Sequence, residues 1–177
     1  LRPGPGAPPA DGGILAITPD ADVVRTGHLF VTHTPPGAFR IVRYRIAGNI
    51  LVDRMALIRD VPASADPSAA LRAGPDGKLY AAFDDGDDHD AAARLSGWNG
   101  KILRLNGDGG TPDDQPAASP VFWSGLRAPR GLGWPPDSGT LWMAEQGPEG
   151  TERVKALVAG PGRPRRAAQR ASHALPQ

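Results

Sequence analysis

The chain has no cysteine in its 177 residues. That excludes disulfides, thiolate zinc sites and cysteine nucleophiles, and it leaves the compartment open. No apolar run approaches the length of a membrane span. An excess of one charge is also missing: 20 Lys and Arg face 19 Asp and Glu, for a net charge of +1. There is accordingly no electrostatic case for a nucleic acid or membrane-surface partner. Helix signals are nearly absent. Ala91 to Leu95 suits one helical turn, and Arg153 to Val158 is helix-compatible by propensity. The latter is read as strand because it follows the apolar run Thr140 to Glu145. No signal peptide is visible; a chain that begins at Leu1 fits a removed leader and a fragment alike.

What the chain does have is punctuation. It holds 23 Gly and 20 Pro, mostly placed between short apolar runs, where turns between strands need them. The two ends depart from this pattern. Residues 1–12 and the basic Pro/Ala/Arg-rich stretch 160–177 lack apolar periodicity and are expected to be disordered. In between, one phrase recurs: a Pro-Asp turn, then a glycine, a leucine and an aromatic that opens an apolar run. It appears as Pro19-Asp20 with Gly27-His28-Leu29-Phe30, as Pro75-Asp76-Gly77-Lys78-Leu79-Tyr80, and as Pro136-Asp137-Ser138-Gly139-Thr140-Leu141-Trp142. The leucines are spaced by 50 and 62 residues, which suits four-stranded blades of a β-propeller.

The remaining runs agree. Ile14 to Ile17, Phe39 to Ile46, Ile50 to Ile58, Lys78 to Phe83, Lys101 to Leu105, Val121 to Trp123, Gly131 to Trp134, Thr140 to Glu145 and Thr151 to Val158 read as strands. Gly48-Asn49 between two of them predicts a hairpin. The fold class is therefore all-β, with a core that includes Leu29, Leu79, Tyr80, Leu103, Leu141 and Trp142.

Chemistry concentrates in a few loops. Asp84-Asp85-Gly86-Asp87-Asp88-His89-Asp90 puts five carboxylates in seven residues. It admits two readings, a hard-cation site such as Ca²⁺ or a solvated acidic loop. Asn106 to Asp114 has calcium-loop composition, but it lacks EF-hand spacing and has Ala117 in place of the closing glutamate, so it reads as a turn. His28, His33 and His89 are too scattered for a zinc motif, and no Gly-x-Ser-x-Gly elbow exists. Arg127 and Arg130 flank a rigid Pro129 turn; they either clamp a planar anion or simply decorate the surface.

Four segments in fixed order then point to a family. They are Leu71 to Tyr80, Asn99 to Asn106, Arg127 to Leu132, and Leu141-Trp142-Met143-Ala144-Glu145-Gln146-Gly147-Pro148. Together with the opening run Gly13 to Asp20, this resembles the soluble pyrroloquinoline quinone (PQQ) dependent glucose/sorbosone, or aldose sugar, dehydrogenases over roughly residues 11 to 159. The resemblance implies about three blades of a six-bladed propeller, here residues 13–159. It implies oxidation of an aldose, with PQQ taking the hydride, Ca²⁺ as Lewis acid and a histidine as base. It also implies a periplasmic or secreted location. By position, Gly147 and Pro148 match the carbonyl donors to Ca²⁺, Arg127 matches a cofactor contact with Arg130 beside it, and Asp85 matches a carboxylate near the base.

The departures are specific. Arg127-Ala128-Pro129-Arg130-Gly131 stands where the family writes Arg-Asn-Pro-Gln-Gly. Asp66 stands where the family has its catalytic histidine, which makes Asp66 and Asp85 the candidate catalytic pair. The alternative function is a non-catalytic propeller piece that binds a carbohydrate or protein. Open blade faces predict self-association in either case.

Overall fold

A computed structural model describes residues 13–157, apart from 95, 116, 117 and 137. The expectations for residues 1–12 and 160–177 lie outside the described residues. The chain runs through β1 (Gly13–Pro19), α1 (Val23–Thr26), β2 (His28–Thr34), β3 (Ala38–Ala47) and β4 (Ile50–Pro62). It continues through β5 (Ala69–Ala73), β6 (Leu79–Phe83), α2 (His89–Ala93), β7 (Lys101–Leu105) and β8 (Val121–Ser124). The last three strands are β9 (Ala128–Gly133), β10 (Leu141–Gln146) and β11 (Glu152–Leu157). Each group folds into one antiparallel meander: β1-β2-β3-β4, β5-β6-β7-β8, and a third sheet of three strands, β9-β10-β11.

Turn chemistry sets these registers. In the first sheet Ala47 pairs with Ile50, so the connection between β3 and β4 is the two residues Gly48-Asn49 alone. Gly48 sits at φ +59, the left-handed conformation that such a tight hairpin needs. In the second sheet, Asp76 accepts from the Lys78 amide (3.1 Å) and the Tyr80 hydroxyl (3.0 Å) and holds the Arg104 Nε (2.9 Å). The Pro-Asp-Gly turn is thereby fastened to the strand it introduces and to the strand beside it.

The sheets pack face on face. Phe30, Phe39, Ile41, Ile58 and Val61 of the first sheet bury against Leu71, Leu79, Ala81, Phe83, Leu103 and Leu105 of the second. The Phe39 and Phe83 rings lie 5.3 Å apart. The alternate residues Tyr80, Ala82 and Ile102 turn the other way, onto Leu141, Met143 and Leu157 of the third sheet. Tyr80 meets Phe122 and Trp134 edge-on. Burial and the Asp76 carboxylate push its phenol well above the ordinary range.

Two expected core residues need correction. Trp142 is 42% exposed, because Leu141 and Met143 point into the core and strand alternation turns the residue between them outward. Leu29 is half-buried and packs on the outer face of the first sheet, beside Val31, Val42 and Tyr44. The expected helical turn exists but starts earlier, at His89, because the Asp88 carboxylate caps the Ala91 amide at 3.0 Å. Helix α1 was not expected, and β5 was recognised only as part of a motif. The segment after β10 is strand, as its place in the meander required.

The outer face of the first sheet carries a titrating group. His33 is buried, with Nε2 3.4 Å from the Tyr44 hydroxyl, and burial, followed by the Arg54 charge, lowers its pKa below 6.5. The unfolded chain therefore takes up this proton more readily than the folded one. Its contribution to stability is complete above pH 6.5 and is lost as pH falls through the lower folded value. His33→Phe should flatten the fall in melting temperature below pH 6.5, read from thermal melts across a pH series. An unchanged slope would show that His33 does not bind the proton.

Candidate functional site

Antiparallel meanders send their connections alternately to two ends. The connections β2–β3, β4–β5, β6–β7, β8–β9 and β10–β11 all emerge at one end, and hydrogen bonds join the first four of them, the first through the Ala63 amide on the Gly37 carbonyl (3.0 Å). The Asp85 amide donates to the Arg127 carbonyl (3.0 Å), and Asn99 Nδ2 to the Pro62 carbonyl (2.6 Å). The Ala65 amide donates to Asp87 (2.9 Å), and the Ser68 hydroxyl to the Pro129 carbonyl. Asp66, Asp85, Arg127, Arg130, Gly147 and Pro148 all lie at this end.

The acidic loop is spread out. Asp84 is buried and accepts from the Ser64 hydroxyl (2.7 Å) and amide (3.3 Å), the Ser68 amide (2.9 Å) and the Gly86 amide (2.9 Å). Burial pushes its pKa up, against the pull of those donors. Asp87 and Asp88 are taken by the Ala65 and Ala91 amides. The carboxylates thus serve separate backbone donors. Among the described residues no three His, Cys, Asp or Glu side chains converge as metal ligands.

Asp85 is placed differently. Its side chain is buried, one carboxylate oxygen accepts from the Asp87 amide (3.1 Å), and the other bonds His89 Nδ1. The His89 side chain is 62% exposed. A carboxylate on Nδ1 favours the tautomer with the proton there, which leaves the Nε2 lone pair facing outward. A buried acid orienting an accessible imidazole is a general-base arrangement. The sequence points to Asp85 but gives His89 no role beside it. The missed signal was local: Asp85 and His89 are four residues apart, with a helix cap at Asp88 between them.

The other candidates are placed as follows. Asp66 is 93% exposed, and its nearest cation is Arg130 at 3.8 Å. Arg130 also donates to Gln146 Oε1 at 2.7 Å. Arg127 is half-buried; its amide bonds Glu145 (3.2 Å), while its guanidinium makes no hydrogen bond or ion pair among the described residues. Glu145 is buried and paired with Lys155. The Gly147 amide donates to the Thr151 carbonyl (2.6 Å). The Pro148 carbonyl already accepts from the Thr151 amide (3.2 Å) and hydroxyl (2.8 Å).

These donors differ in what they fit. An anionic planar cofactor such as PQQ suits the uncommitted Arg127 guanidinium, with Arg130 nearby. Ca²⁺ fits poorly: one of its two expected carbonyls is engaged within its own turn, and no carboxylate cluster among the described residues completes a shell.

Radially stacked antiparallel sheets, with their chemistry gathered on the connections at one end, define a partial β-propeller. Comparison with known proteins gives the lineage: the family model "Glucose / Sorbosone dehydrogenase" matches residues 7–162, and the chain belongs to that family. It is 28% identical over 159 residues to the aldose sugar dehydrogenase YliI of Escherichia coli, covering 81% of this chain and 43% of that protein. It is 30% identical over 141 residues to quinoprotein glucose dehydrogenase B of Acinetobacter calcoaceticus, covering 66% of this chain and 29% of that one. The PQQ-bound aldose sugar dehydrogenase of Streptomyces coelicolor superposes with a TM-score of 0.75 at 27% identity, covering 88% of this chain and 48% of that one. The chain thus spans less than half the length of each of these relatives. Among the described residues no helix is long and apolar enough to cross a membrane.

Proposed function

We propose that this chain carries one half of a PQQ-dependent aldose dehydrogenase site, in a periplasmic or secreted protein. The observation that supports this most is the buried Asp85 orienting the exposed His89 at the same end as the uncommitted Arg127. When bound, PQQ supplies the hydride acceptor for the sugar's anomeric carbon. His89 Nε2 takes the proton of the sugar hydroxyl, and Asp85 stabilises the imidazolium that results. Arg127 holds a cofactor carboxylate, and Arg130 contributes positive charge beside it. Asp66 lies exposed next to Arg130 and suits neither role as well as His89 does. No step is assigned to Ca²⁺.

Titration of the chain with PQQ, followed by cofactor absorbance, tests the binding half of this reading. Arg127→Ala is expected to weaken binding by about tenfold or more, the worth of one charge-assisted hydrogen bond. Equal binding by the variant would remove the cofactor assignment. Steady turnover is expected to be weak, because the chain spans less than half of its relatives. The base is therefore read from single-turnover reduction of bound cofactor by aldoses. His89→Ala should slow that step by roughly 10²–10⁴-fold with binding unchanged. Failure of the unaltered chain to bind PQQ at all would favour the second reading, a non-catalytic module for a carbohydrate or protein.

A further inference from the structure

The connection between β10 and β11 holds a glycine whose backbone does not need one. Gly147 is buried, with φ −90 and ψ −166, an extended conformation open to any residue. What the position requires is space. A Cβ built on Gly147 would lie 3.1 Å from both Cζ and Nε of Arg153 and 3.0 Å from the Thr151 hydroxyl oxygen. The missing side chain leaves the room that the Arg153 guanidinium fills. Arg153 pairs with Glu145 across the β10–β11 ladder and shares a strand face with Lys155, while its chain neighbour Glu152 turns to the other face. Glu145 is buried and already taken, one carboxylate oxygen by Lys155 Nζ and the other by the Arg127 amide. Arg153 is half-buried, and among the described residues its guanidinium makes no hydrogen bond or ion pair. Arg127, Arg153 and Lys155 are thus anchored around a single buried carboxylate, and both guanidiniums keep their donors.

We propose that Arg153 is a further cofactor-binding residue: at Gly147 its guanidinium takes the place expected for Ca²⁺, meets a carboxylate of the planar anion that Arg127 also holds, and lets the chain bind that anion without a metal ion. The identity of the anion rests on the PQQ reading. The closure of the turn to Ca²⁺ does not. A hard cation needs several oxygen donors, and this turn sets a fixed positive charge against Gly147 instead. A guanidinium offers a carboxylate two parallel donors, which suits a cofactor that carries its charge on planar carboxylates.

Titrations of the full chain test both parts. Calorimetry with Ca²⁺ alone is expected to show no binding; uptake of Ca²⁺ by the unaltered chain would overturn the proposal. PQQ, followed by its absorbance, is expected to bind equally well in excess chelator and in excess Ca²⁺; binding that requires Ca²⁺ would overturn it too. Arg153→Gln should keep its circular dichroism and melting temperature and bind PQQ about tenfold or more weakly in chelator. Arg153→Lys, which keeps the charge but not the fork, should recover only part of that loss. Unchanged affinity in Arg153→Gln would remove Arg153 from the site. If PQQ fails to bind under either condition, the cofactor reading is what has failed. Trimesate, a planar aromatic tricarboxylate, then decides the anion site by itself: binding that Arg153→Gln weakens upholds it, and no binding overturns it.

Discussion

Lys101→Ala is expected to cost on the order of 4 kcal/mol. The Lys101 side chain is fully buried, and its Nζ donates to the carbonyls of Ala91 (2.9 Å), Ala92 (3.0 Å) and Asn99 (2.8 Å). Burial lowers its pKa, with the Arg94 charge a lesser push in the same direction. Two of the three acceptors belong to α2, so the ammonium closes that helix from below and fixes the connection that carries Asp85 and His89. Truncation to alanine takes the ammonium from all three carbonyls, of which Ala92 keeps the Gly125 amide (3.0 Å), and leaves a cavity. Lys101→Ala should therefore melt well below the unaltered chain and bind PQQ poorly at temperatures where it remains folded. A melting temperature within about 2 °C of the original would show that water replaces the ammonium at little cost.

The neighbouring glycine gives the second large effect. Gly100 has φ +64, and a Cβ placed there would lie 2.3 Å from Ala92 Cβ, 2.7 Å from Ala92 Cα and 2.8 Å from the Leu126 carbonyl oxygen. Backbone atoms on both sides cannot swing away as the tip of a long side chain can. The Gly100 amide also donates to the Asp84 carbonyl (2.6 Å), and its carbonyl accepts from the Gly125 and Leu126 amides (3.0 Å each). Gly100→Ala combines left-handed strain with overpacking and is expected to cost on the order of 3 kcal/mol. In a chain of this length that corresponds to a drop of roughly 10 °C in melting temperature. Thermal melts of Gly100→Ala beside Gly77→Ala separate the two causes, because Gly77 has φ +73 but open space around it. Equal losses in both variants would mean that only the backbone conformation matters.

The sequence made the strands legible because turn chemistry is local. Gly48-Asn49 needs only its own conformation to set a hairpin, and Pro-Asp-Gly before a leucine needs only the next few residues. The direction in which a strand residue points is also local, but what covers it is not. Trp142 was read as core because it continues the phrase of Phe30 and Tyr80. The structure leaves it 42% exposed, since burial depends on a neighbouring sheet. The end that carries the candidate residues is legible as a set of segments, because Asp85, Arg127 and Gly147 follow strands that all run toward it. The His89 partnership was not, since it depends on Asp88 starting a helix only five residues long. Asp66 was chosen by position alone, and position carries no information about the exposure that separates it from Asp85.

The alternation of connections between two ends bears on how such a chain is able to grow. A four-stranded meander begins and ends at the same end of the stack, so a duplicated copy of one joins the next without reversing direction. The copy delivers its new connections to the same rim as the old ones. The strands of the copy inherit a ready stacking partner, while its rim connections are free to diverge. Ancestral duplication and loop drift can thus act on separate parts of one repeat, and a rim such as the one around Asp85 and Arg127 is able to change its chemistry while the stacked sheets beneath it stay the same.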